Sequence, residues 1–126
     1  MNGEKIDTLH TEHREWLNKL DFYKQDLGFL KNRLEEVASK NTSKDTLALV
    51  EHFQNQFIIQ KNEMDEFRHA IKEHENLLEA AININPVAIN RQRLNDHPEM
   101  RERMERFEKL FQELRMELLR FVSKYL

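Results

Sequence analysis

The fold of this chain is decided by residues 6–37, which read IDTLHTEHREWLNKLDFYKQDLGFLKNRLEEV. Apolar and large side chains recur there at alternating steps of three and four, a period typical of an amphipathic α-helix with one buried stripe. With only two glycines and two prolines in 126 residues, little interrupts the pattern. The spacing predicts a first long helix over about residues 4–38. The predicted stripe comprises Ile6, Leu9, His13, Trp16, Leu20, Tyr23, Leu27, Leu30, Leu34 and Val37.

A second segment repeats this spacing and predicts a helix over about residues 44–83. Its stripe is apolar except for Gln60 and His74. Pro86 limits the helix at its carboxyl end, because the residue before a proline is pushed away from helical geometry. The short polar segment at residues 39–43 predicts a tight antiparallel hairpin between the first two helices.

A third helix is predicted over about residues 97–126, after a connector at about residues 84–96. Asp96 is suited to cap its amino terminus, and Pro98 is suited to its first turn. The three segments together predict a single all-α domain over residues 1–126. Its architecture is expected to be an elongated antiparallel three-helix bundle with coiled-coil-like packing.

The composition excludes several classes of site. The chain has no cysteine, which rules out disulfides, thiolate metal sites and cysteine nucleophiles. Its formal net charge is −3 with acids and bases interleaved, which disfavours a nucleic-acid surface. No apolar run approaches the roughly 20 residues of a membrane span, and no signal-peptide pattern opens the chain. We therefore expect a cytoplasmic protein with neither nucleic acid nor membrane as a partner.

Catalytic motifs are missing from the sequence. It contains no Ser-His-acid set, no pair of inward-facing carboxylates and no glycine-rich nucleotide loop. A thin rod of helices also offers little concavity for a substrate. The sequence therefore predicts a non-enzymatic protein with no catalytic residue and no cofactor.

The leading interpretation is self-association or partner docking through apolar side chains outside the core. Phe22 and Phe29 lie one heptad apart on the face of the first helix that is opposite its stripe. Ile58 and Ile59 lie at the matching level of the second helix if paired residue numbers sum to about 83. Contiguous apolar patches usually mark interaction sites, so these four residues predict a homodimer or a partner-binding surface. The alternative is that the third helix covers part of the set.

The second interpretation is a metal-binding or pH-responsive bundle. The hairpin pairing places His10 near His74, and His13 lies in the middle of the first stripe. Three imidazoles at one end of a rod are a suitable set for zinc, copper, iron or nickel. Alternatively, they hydrogen-bond to one another, to carboxylates or to water, and set the register of the hairpin. If they are buried, protonation below roughly pH 6 is expected to loosen that end.

Two other polar features of the second helix receive structural interpretations. Glu66 and His69 have the Glu-x-x-His spacing of ferritin-like di-iron proteins, but the required second pair is missing. Both residues, together with Glu73, are expected on the solvent face. Gln60 is expected to hydrogen-bond to the hydroxyl of Tyr23 across the hairpin.

Overall fold

The computed structural model describes the backbone of residues 2–84 and 97–125, and the side chains of residues 7–80 and 97–125. Within these ranges the chain forms three helices and no strands, which confirms the all-α prediction, and the contacts between the helices fit a three-helix bundle. Among these residues, no helix has an apolar stretch that would reach across a bilayer. The helices are α1 (Asn2–Lys40), α2 (Lys44–Ile84) and α3 (His97–Ser123).

The helix ends agree with the predicted ones to within a few residues. The carbonyl of Ser43 accepts the amide hydrogen of Leu47 at 3.0 Å, which gives Ser43 the position of an N-cap. α3 stops short of the predicted end, because the amides of Lys124 and Tyr125 donate to carbonyls three residues earlier and tighten the last turn. The predicted Asp96 cap lies outside the described residues.

Each helix buries one stripe, as the periodicity predicts. Leu30, Leu34 and Val37 of α1 are completely buried, and Phe67 of α2 and Phe111 of α3 are equally inaccessible. Aromatic rings make up much of the interior, and they contact one another across the helices. The core therefore runs along the axis of the bundle rather than filling a compact centre.

α3 lies parallel to α1 and antiparallel to α2. Three side-chain contacts between α1 and α3, spaced one heptad apart, each join residues separated by 89 positions in the chain. Constant separation along the chain is the signature of parallel neighbours. The three contacts join Glu12 to Arg101, Lys19 to Glu108 and Asp26 to Arg115.

The hairpin pairing is shifted from the predicted one. Side-chain contacts join His13 to His74 and Lys24 to Asp65, pairs whose numbers sum to 87 and 89 rather than about 83. Side chains lean toward the amino terminus of their own helix, so each partner lies about one residue further along the chain than its level suggests. A hairpin centred on the loop residues 41–43 is therefore expected to pair residues that sum to about 86.

The predicted hydrogen bond between Gln60 and Tyr23 is wrong, because the Tyr23 hydroxyl has a different partner. The Tyr23 hydroxyl faces α3 and donates to Glu108 Oε2 at 3.1 Å. The Oε1 atom of Gln60 is buried and has no hydrogen-bond partner among the described residues. Tyr23 therefore fixes α1 to α3 and not to α2.

Candidate metal centre

Three histidines, one from each helix, meet near the end of the bundle that is far from the hairpin loop. His13 lies in the middle of the α1 stripe, His74 belongs to the α2 stripe, and His97 is the first residue of α3. Their exposed fractions are 0%, 6% and 1%. One ring nitrogen of each lies within 4.8 Å of the others. Three buried imidazoles on three separate helices form the most convergent polar group among the described side chains.

The sequence predicts two of these three ligand candidates, His13 and His74, and does not predict the third. His10 was expected in the group, but its side chain is 43% exposed and its Nδ1 contacts Glu75 instead. His97 takes its place. The signal for His97 was present, because it stands three residues before Met100 and so extends the α3 stripe by one step. The predicted third helix includes residue 97, but the stripe predicted for that helix begins at Met100, so His97 is not among the predicted ligands.

A hydrogen-bonded chain runs from Glu75 through His13 to His74. The Nδ1 atom of His13 lies 2.5 Å from Glu75 Oε2, and its Nε2 lies 2.9 Å from His74 Nδ1. We assign the Nδ1 proton of His13 to the bond with Glu75, which leaves the Nε2 lone pair facing His74. A carboxylate that orients an imidazole in this way is the usual support for a metal-binding histidine. The other carboxylate oxygen of Glu75 contacts His10.

The imidazole ring of His97 is almost completely buried. Neither ring nitrogen has a hydrogen-bond partner among the described residues. The nearest carboxylate oxygen, Glu12 Oε1, lies 3.3 Å from Nε2 at ion-pair distance but outside hydrogen-bond geometry. An unsatisfied buried polar group of this kind costs about 1–3 kcal/mol. The hydrogen-bonding capacity of the His97 ring is therefore unmet within the described residues.

Burial keeps the ring of His97 neutral. Burial lowers the pKa of His97 to about 4, against an opposing effect from Glu12. Arg101 donates to both carboxylate oxygens of Glu12, at 2.7 and 2.5 Å, and this hydrogen bonding lowers the pKa of Glu12. Since metals bind only the unprotonated imidazole, His97 is in its ligand form at neutral pH.

Apolar side chains enclose the three histidines on both sides. Trp16 stacks on the His97 ring at 5.1 Å between centroids, and Phe67 meets the edge of Trp16 at 6.2 Å. On the other side, Leu9 and Leu78 are buried but lie outside the main core cluster. The histidine layer therefore separates the main core from a smaller apolar layer. Such a water-poor site strengthens interactions with a cation.

A second group of possible ligands lies beside the first. One atom each from His10, Glu75 and Glu79 lies within 4.8 Å of the others, but these side chains are half-buried or exposed. The solvent-face prediction for the neighbouring Glu-x-x-His segment is confirmed. His69 and Glu73 form an ion pair at 3.0 Å with side chains 75% and 65% exposed.

The four residues of the predicted docking surface are all exposed, by 47% to 64%. They do not share one groove. Ile58 lines a groove between α1 and α2, whereas Ile59 lines a groove between α2 and α3. Phe22 packs against Tyr23, and Phe29 lies under the guanidinium of Arg33. Exposure at one level of the rod therefore does not make these side chains one continuous patch.

Comparisons of the chain with protein-family models, curated proteins and solved structures found no match. Function is therefore inferred from the chemistry of its own residues. The cluster of His13, His74 and His97 has the most specific chemistry among the described side chains.

Proposed function

We propose that this protein is a metal-binding helical bundle that holds one divalent transition-metal ion through His13, His74 and His97. The observation that carries the proposal is the convergence of three buried imidazoles, one of which has no hydrogen-bond partner among the described residues. Imidazole nitrogen suits zinc, copper, iron and nickel, and zinc is the metal that three histidines hold most commonly in a tetrahedral site.

The surroundings of the cluster favour the binding of a divalent metal in several respects. Three histidines leave a fourth position for water or another ligand, as in catalytic zinc sites. Glu75 supports His13 through the other ring nitrogen, and the lowered pKa of His97 removes competition from protons. Glu75 also supplies negative charge close to the cation. Binding through Nδ1 of His74 would move the proton of that nitrogen to Nε2 of the same neutral ring, so metal uptake replaces the hydrogen bond between His13 and His74 without net release of a proton.

The competing interpretation is a structural polar layer. The hydrogen bond between His13 and His74 would fix the register of the hairpin without any metal. That interpretation does not account for His97, which is buried at a cost and makes no hydrogen bond with the described residues. A metal would use a lone pair of His97 that no described residue satisfies.

Isothermal titration of chelator-treated protein with zinc sulfate tests the proposal. We expect one zinc per chain, and cobalt in place of zinc should give the visible absorption of a tetrahedral site. The variant His97→Leu should abolish both signals. The matched control is His69→Leu, which changes an exposed histidine and should bind zinc as the wild type does. Equal binding by the two variants, or no binding by the wild type, would contradict the proposal.

Docking of a partner protein or of a second copy is a second candidate function. The observation in its favour is the exposure of Phe22, Phe29, Ile58 and Ile59. Static light scattering at tens of micromolar tests self-association, and Ile58→Asp should dissociate any dimer. If the protein is a strict monomer, self-association is excluded. The docking function would then require a different protein as the partner.

A further inference from the structure

The groove that contains Ile58 is lined by residues of α1 and α2 alone, with a volume of about 590 Å³. The base of the groove is apolar, because it is formed by the small exposed parts of Leu27 and Phe57, which are otherwise buried. Ile58 also lines the groove and is exposed. The α2 residues that line it span positions 51–61, which corresponds to roughly 15 Å of helix. The groove is therefore long enough for about three turns of a partner helix.

Gly28 opens the middle of this groove. It lies in the interior of the 39-residue α1, where glycine costs about 1 kcal/mol relative to alanine. Its backbone has no positive φ that would require glycine. A Cβ atom at this position would meet nothing within 4 Å. No described residue packs into the space beside Gly28, whereas the backbone of another helix could approach closely there.

The rims of the groove are basic. Lys31 on α1 and Lys61 on α2 form no ion pair with the described residues, while Lys24 is paired with Asp65 at 3.9 Å. Glu51 is the acidic residue in the lining. A symmetric contact between two copies of this groove would bring lysines against lysines, which disfavours a second copy as the occupant. Carboxylates on the partner would instead face both free ammonium groups.

We infer that this groove binds an amphipathic helix of another protein with acidic flanks. Its apolar ridge would pack on Leu27, Phe57 and Ile58, and its backbone would approach α1 at Gly28. This is the helix-in-groove mode of recognition, and it would complete a four-helix bundle. The inference deepens the docking function proposed above and is independent of the metal centre.

Fluorescence anisotropy with two labelled synthetic helices tests the inference. Both 21-residue peptides carry the same leucine ridge, and their flanking positions are all glutamate in one and all lysine in the other. We expect the glutamate peptide to bind at least tenfold more tightly than the lysine peptide, with an affinity that falls as salt is added. The double variant Lys31→Glu/Lys61→Glu should reverse this preference.

The variant Gly28→Gln tests the location. Glutamine fills the space at Gly28 without disturbing the helix, and it should weaken binding of the glutamate peptide at least tenfold. The matched control is Leu110→Gln, which changes an exposed side chain in the other groove and should leave binding unchanged. Loss of binding in Leu110→Gln but not in Gly28→Gln would keep the docking function and overturn this groove as its site.

Three other results would also overturn the inference. Equal affinity for the two peptides, or no binding of either, would show that the basic rims do not select an acidic helix. A homodimer that Gly28→Gln dissociates would make a second copy the occupant. Unfolding of Gly28→Gln by denaturant shows whether it folds, and its stability should match or exceed that of the wild type.

Discussion

Replacement of His97 by leucine distinguishes a histidine kept for metal binding from one kept for stability. His97 is 1% exposed and its ring nitrogens make no hydrogen bond with the described residues. Leucine of similar volume removes an unsatisfied polar group, worth about 1–3 kcal/mol, and loses ring stacking on Trp16, worth about 0.5–1.5 kcal/mol. The metal-free variant is therefore expected to be more stable than the wild type by about 1 kcal/mol at pH 7.5.

The difference in the free energy of unfolding between His97→Leu and the wild type should grow as the pH is lowered. The pKa of His97 is lowered from 6.5 to about 4 in the folded protein, so the unfolded chain binds the proton more readily. The stability associated with the neutral ring is complete above pH 6.5 and is lost as pH falls toward 4. At pH 5.0 the wild type should have lost about 2 kcal/mol through this residue. The titratable groups that surround it remain in the variant: Glu12, His13, His74 and Arg101.

Urea unfolding followed by circular dichroism, with chelator present, measures both effects. The free energy of unfolding of His97→Leu should exceed that of the wild type by about 1 kcal/mol at pH 7.5 and about 3 kcal/mol at pH 5.0. The control His69→Leu should stay within about 0.5 kcal/mol of the wild type at pH 7.5. A His97→Leu variant that is less stable at pH 7.5 and equally sensitive to acid would refute the reasoning.

Three further predictions concern the metal and the groove. Zinc at one hundred times its Kd should raise the free energy of unfolding by about 2.7 kcal/mol, hence Tm by roughly 10 °C in calorimetry, and a chelator should reverse the gain. Glu75→Gln should weaken zinc binding about 10- to 100-fold in a calorimetric titration, because the support of His13 is lost; an unchanged Kd would remove Glu75 from that role. Gly28→Gln should raise the free energy of unfolding in urea by about 0.5–1 kcal/mol, since the new side chain meets open space, and a loss would reveal a steric conflict.

The helices and their buried faces are predictable from the sequence because the period of the stripe needs no knowledge of the partner helix. The contacts between helices are harder to predict. Pairing by level alone places His10 near His74, whereas the lean of the side chains brings His13 to His74. His97 can be recognised as part of the α3 stripe only if the helical period is extended by one step toward the amino terminus, past Pro98.

The sequence does not predict that Ile58 and Ile59 line two different grooves. Consecutive residues lie about 100° apart on a helix, so which of them faces α3 depends on where α3 packs. The packing position of α3 is set by its contacts with α1 and α2, and the sequence of the connector before α3 does not predict that position. A wheel for α2 alone identifies both side chains as exposed but cannot assign them to separate sites.

The three contacts between α1 and α3 also decide which histidines meet. Along α1 the signs run negative, positive, negative, and along α3 they run positive, negative, positive. If α3 slid by one heptad in either direction, every remaining contact would oppose like charges. Such a slide of about 10 Å would carry His97 away from His13. This alternation of surface charge thus selects the one alignment in which the third imidazole reaches the other two.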